Sequence, residues 1–68
     1  MFALEVLNNE LITGKSLDEI QKKLYEWEGK YDIGSSQWCL GKLMRIIKGK
    51  TILVGWVSYN GRLWAEKP

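Results

Sequence analysis

Histidine is absent from the 68 residues, and cysteine and proline occur once each. Without histidine there is no serine–histidine catalysis and no imidazole acid–base step. One cysteine cannot form an internal disulfide, and no Cys/His set exists for zinc. The longest apolar run, 52–57, is far below the roughly 18 residues of a membrane span. The first residues carry no basic leader and meet Glu5 at once. A lone thiol without a leader gives the expectation of a cytoplasmic protein, nucleoid-associated or nuclear if it binds DNA. No repeat or linker divides the chain, so a single domain over 1–68 is expected. Such a domain buries only about 60% of its unfolded surface. The four Trp, three Tyr and one Phe are the material for its thin core.

The net charge of +2 is unevenly spread. Residues 1–33 hold four lysines against seven carboxylates, a net −3. Residues 34–68 hold Lys42, Arg45, Lys48, Lys50, Arg62 and Lys67 against Glu66 alone, a net +5. This asymmetry points either to an anionic partner for the basic half or to halves that satisfy each other.

Along the chain, Leu4, Leu7 and Leu11 follow i, i+3, i+7 and predict a helix over 3–12. A hairpin turning at Asn8-Asn9 is the competing reading, since Asn tolerates the positive φ of such a turn. Gly14 would then cap the first helix. Ser16-Leu17-Asp18-Glu19 is a capping box, with Ser16 as cap and Glu19 reaching back. Leu17, Ile20, Leu24 and Trp27 line one face of a second helix over 17–28. Glu19 with Lys23, and Asp18 with Lys22, are i, i+4 pairs on its wet side.

Ser35 or Ser36 caps an expected third helix over 36–48. Its core arc is Cys39, Leu40, Leu43, Met44, Ile46 and Ile47, and Gly49 ends it. A strand over 43–47 is the alternative, because Ile-Ile is β-prone. The last segment, 51–66, reads as a hairpin turning at Asn60-Gly61, the strongest short turn signal. A two-residue loop pairs Tyr59 with Arg62 and Val57 with Trp64, and leaves the tip projecting.

Helix, polar link, Ser-capped helix, basic amphipathic helix and hairpin follow in that order. The order resembles the winged helix-turn-helix family, carried by 16–24 as second helix, 34–49 as recognition helix and 51–66 as wing. The match is one of pattern over nearly the whole chain, and it departs from the family at 25–34, which is longer than the usual tight turn. The fold implied is a small α+β winged helix. If the first segment is a hairpin, an α+β sandwich replaces it.

The resemblance implies binding to double-stranded DNA. Ser35, Ser36 and Gln37 would present hydroxyls and free amides to a phosphate, with Gln37 able to pair adenine. Arg45 would read guanine or a phosphate, and Lys42, Lys48 and Lys50 would contact phosphates. Asn60 and Arg62 sit at the wing tip, where Arg62 could enter a narrow minor groove. The plain reading of these residues is a solvated helix face. Trp38, on the polar arc, would stack on a base or fill a partner's pocket, unless the loop or Trp56 covers it. Gly41 either admits a close backbone or is tolerated, and Cys39 reads as a small buried hydrophobe.

No glycine-rich phosphate loop is present, nor a carboxylate pair with a matching nucleophile. Lys22, Lys23 and Lys30 argue against a cation at Glu26, Glu28 and Asp32. A non-enzyme is expected, without metal, cofactor or small-molecule substrate. The first functional expectation is a transcriptional or replication regulator that acts on DNA as a homodimer or with a larger partner. The alternative is a protein-interaction module, a small adaptor or inhibitor of mobile-element type using a Trp-rich surface. RNA binding by aromatic stacking is third.

Overall fold

The computed structural model describes residues 1–67. The first twelve residues form a hairpin and not a helix. Strand β1 (Phe2–Glu5) pairs antiparallel with β2 (Leu11–Gly14), Leu4 standing opposite Ile12. A 3₁₀ turn, Leu7–Asn9, joins them. Asn8 and Asn9 lie at φ 60° and 61°, in the left-handed region. Asparagine tolerates that region better than most residues, and two in succession break any helix. The amide of Val6 donates to the Glu10 carbonyl and closes the turn.

The only α-helix among the described residues, α1 (Leu17–Lys30), is two residues longer than expected. Ser16 caps it, its hydroxyl accepting from the Glu19 amide at 3.2 Å. The Glu19 carboxylate accepts from the amide of Lys15, one residue before the cap, at 2.9 Å. Glu19 also pairs with Lys23 at 3.3 Å. Ile20 and Leu24 are buried, with Leu17 and Trp27 packed at their sides. These four are the face read from the sequence.

The expected recognition helix over 36–48 is a tight-turned loop followed by β3 (Leu40–Ile47). Lys48-Gly49 is a two-residue hairpin turn, with φ of 50° and 79°. Positive φ at both central positions is the signature of a type I′ turn, whose twist suits a hairpin. Gly49 therefore reverses a strand where it was expected to end a helix. Strand β4 (Lys50–Ser58) returns along β3, and β5 (Leu63–Trp64) covers only its end, pairing with Trp56 and Val57.

The five strands form one antiparallel sheet in the order β2-β1-β3-β4-β5. Three helices with a wing are thus replaced by one helix on a five-stranded sheet. The winged-helix fold does not hold, and the α+β outcome tied to a first hairpin does. The helix packs most closely on β2 and β1. The core is Leu4, Val6, Ile12, Ile20, Leu24, Trp38, Leu43 and Val57.

Candidate interaction surface

Side chains alternate between the two faces of a strand, so the register assigns each face. The row Ile12, Leu4, Leu43 belongs to the core under the helix. One step along, Thr13, Ala3, Met44 and Leu53 stand on the opposite face. A second row on that face holds Leu11 beside Glu5, and Lys42 beside Trp56 and Trp64. Leu40, beside Ser58, and Ile46, beside Thr51, extend it at either end. No helix covers this face, since α1 lies on the other side. Leu11 is 53% exposed and Leu53 49%.

The pairing of β4 with β5 builds the aromatic part of this surface. Ser58 donates its amide to the Arg62 carbonyl, so three residues, 59–61, form the loop. Val57 therefore stands opposite Leu63, and Trp56 opposite Trp64. The expected two-residue loop paired Val57 with Trp64 and put the two tryptophans on different faces. A shift of one residue flips every side chain. The Arg62 guanidinium lies 4.2 Å from the centre of the Trp64 ring. The Trp64 indole N–H is buried without a hydrogen-bond partner.

The loop at Asn60-Gly61 does not project. Gln21 donates to the Gly61 carbonyl at 2.8 Å, and the Tyr25 hydroxyl to the Asn60 carbonyl at 2.8 Å. These two bonds tie the end of the sheet down onto the helix. A cavity of about 340 Å³ opens where the chain leaves β1, bordered by Glu5, Asn8, Lys42, Trp56 and Lys67 among others.

The residues expected to touch DNA are dispersed. Ser35, Ser36 and Gln37 lie in the loop before β3, where the Gln37 side chain accepts from the Gly34 amide at 2.6 Å. Trp38 is buried in the core, its ring edge-on to Trp27 at 5.6 Å between centres. Its expected place on an exposed arc is corrected, and its cover is Trp27. Lys42 is exposed on the open face. Arg45 falls on the other face, its guanidinium 5.9 Å from the Phe2 ring centre. Lys48 lies in the β3–β4 turn and Lys50 directly after it, while Asn60 belongs to the loop pinned on α1 and Arg62 closes that loop. Cys39 is exposed, against the expectation of a core thiol.

No family model, curated protein or solved structure matches this chain. Its function is read from the surface alone.

Two carboxylates on α1 have opposite electrostatics. Glu19 is partly exposed, and hydrogen bonds from the Lys15 amide and the Lys23 ammonium hold its carboxyl below the usual range. Glu28 is buried with one carboxylate oxygen unpartnered, and burial pushes its carboxyl up. Among the described residues no group of His, Cys, Asp and Glu is clustered to hold a metal ion, and no helix is long and apolar enough to cross a membrane.

The sequence reading missed Leu11, Met44, Leu53, Trp56 and Trp64 as a common surface. Parity was the available signal. Lys42, Met44 and Ile46 alternate with Gly41, Leu43 and Arg45.

Proposed function

We propose that the chain is a protein-interaction module that receives its partner on the open face of the sheet. The single observation behind this is that face itself, which carries Leu11, Met44, Leu53 and Trp56 and is covered by no helix, Leu11 and Leu53 being exposed and Met44 and Trp56 partly so. Contiguous exposed apolar surface is uncommon on a monomer and marks contact sites. Tryptophan, methionine and arginine are the residue types enriched at such contacts. Glu5 and Lys42 are the charged groups in the middle of the face, and they set orientation more than affinity.

The test is to capture the partner, purify it and titrate it against variants. Met44→Glu and Trp56→Ala are expected to weaken binding by about 30-fold or more, the scale of a hot-spot residue. Unchanged affinity in both variants would reject the open face as the contact.

A second reading, DNA binding, has one feature in its favour. A two-stranded ribbon fits the major groove, and the β3–β4 ribbon carries Arg45, Lys48 and Lys50 near its turn. It also exposes Ile47, Ile52 and Val54, which favours a protein contact. Duplex binding at low salt that falls steeply as salt rises, and is lost in Lys48→Ala with Lys50→Ala, is the outcome that favours DNA.

A further inference from the structure

The sheet has two edges, and the chain treats them differently. On the β2 edge the Lys23 ammonium donates to the Thr13 carbonyl at 2.7 Å, so a helix side chain occupies a backbone acceptor there. Charged side chains placed at an edge discourage a further strand. On the other side β5 pairs only with Trp56 and Val57. The start of β4, 50–54, has β3 on one flank and no strand on the other. Every second residue there offers its amide and carbonyl to solvent.

The uncovered stretch reads Lys-Thr-Ile-Leu-Val, since Gly55 is buried against the backbone of Trp64. It has no proline, its single charge is at one end, and its middle is β-branched or aliphatic. Ile52, Leu53 and Val54 are 48%, 49% and 42% exposed. Exposed apolar side chains on an unpaired edge make a template for another strand. The register slips between Leu43 and Met44 and leaves Val54 without a partner, so the straight part of the edge is 50–53.

We infer that a second copy of this chain pairs its β4 edge antiparallel with this one, giving a two-fold dimer with a continuous ten-stranded sheet. Three features select a copy over a foreign strand. The window is closed at one end by the Lys48-Gly49 turn and at the other by β5, so an incoming strand must be short and end within it. The window of a second copy has the same length and the same stops. Lys48 and Lys50 lie at the turn end, and Glu66 follows β5 at the opposite end. Antiparallel pairing brings Lys48 and Lys50 of each copy toward Glu66 of the other, twice. Glu66 has no ion pair among the described residues, so it is available. The pairing is also closed: it consumes both β4 edges and leaves two β2 edges, each with its carbonyl held by Lys23. An isologous contact of this kind stops at the dimer.

This surface is distinct from the open face, so the two readings fail separately. The experiment is sedimentation equilibrium of the full chain across a wide concentration range, with circular dichroism as a folding control. Twice the monomer mass is expected at high concentration. Ile52→Lys should return the monomer mass with an unchanged spectrum. Thr51→Cys in a Cys39→Ser background should form a disulfide-linked dimer on mild oxidation, because Thr51 lies near the two-fold. A monomer at every concentration overturns the dimer. So does a dimer that survives Ile52→Lys, or one that disperses in Trp56→Ala while Ile52→Lys retains it, because that places the contact on the open face. Species larger than a dimer would overturn the closed two-fold.

Discussion

Trp56 and Trp64 stand directly opposite each other across β4 and β5, on the face of the sheet that the helix leaves bare. Trp38 and Trp27 meet edge-on beneath the other face. The four tryptophans thus divide into a core pair and a surface pair, and substitution should separate them. Trp38→Ala is expected to cost about 3–5 kcal/mol, the range for emptying a buried aromatic site. Trp56, only partly buried, should cost much less when replaced by Ala, with its effect appearing in partner binding. Urea denaturation of both variants is the measurement. Equal losses would show that Trp56 belongs to the core.

Gly41 gives the next prediction. A methyl group there would run into the Glu5 carbonyl and lie 2.8 Å from the Trp38 ring. Both neighbours are fixed, one as backbone and one as packed core. Overpacking costs typically 1–3 kcal/mol, and more where backbone is the obstacle. For a domain of this size that is a large part of the total stability. Gly41→Ala is therefore expected to lose about 3 kcal/mol in chemical denaturation. In a helix the same change would have raised stability by about 1 kcal/mol, so the sign alone decides between helix and strand.

The capping box and the first hairpin mark how far local chemistry can be read. Ser16, Glu19 and the Leu17, Ile20, Leu24, Trp27 stripe act within a few residues, and the helix they define is the one found. Asn8-Asn9 also carried its own turn signal, but three leucines at helical spacing outweighed it. The third element failed for a different reason. A strand half-buried on one face shows alternation, and β3 is apolar on both. Leu43 enters the core while Met44 and Ile46 line the open face. Filling both parities removes the period of two and leaves a broad arc that mimics a helix. The surface that makes the chain interesting therefore hid the strand that carries it. The face itself also depends on one residue of register at Asn60-Gly61, which hydrogen bonds from Gln21 and Tyr25 help to fix from a distant helix.

Glu28 and Glu19 should pull stability in opposite directions as pH changes. Burial raises the Glu28 carboxyl, so the native state binds its proton more tightly than the unfolded chain does. Its favourable contribution is complete below the ordinary carboxylate value and is lost as pH rises through the raised one. Glu19 is depressed by the Lys15 amide and Lys23, so its contribution is present above the ordinary value and is lost as pH falls through the lowered one. Glu28→Gln is expected to be more stable than the parent at pH 7, with the difference closing in acid. Glu19→Gln should be less stable at pH 7, also with the difference closing in acid. Urea midpoints across pH for the two variants test both signs. A Glu28→Gln protein weaker at pH 7 would mean that the buried carboxylate has a partner worth keeping.

The turn at Lys48-Gly49 allows a test by gain of stability. Both residues hold positive φ, at 50° and 79°, and lysine is strained there while asparagine is much less so. Lys48→Asn creates Asn-Gly, the preferred pair for a type I′ turn, and leaves the strands on either side unchanged. Relief of a left-handed non-glycine residue should add about 0.5–1 kcal/mol. Read as the end of a helix, the same position would lose a lysine suited to the negative end of the dipole and should be slightly destabilised. Thermal melts of the variant and the parent give the sign. A higher midpoint with unchanged circular dichroism is the outcome expected of a hairpin, because only a reversing strand requires the left-handed conformation at both Lys48 and Gly49.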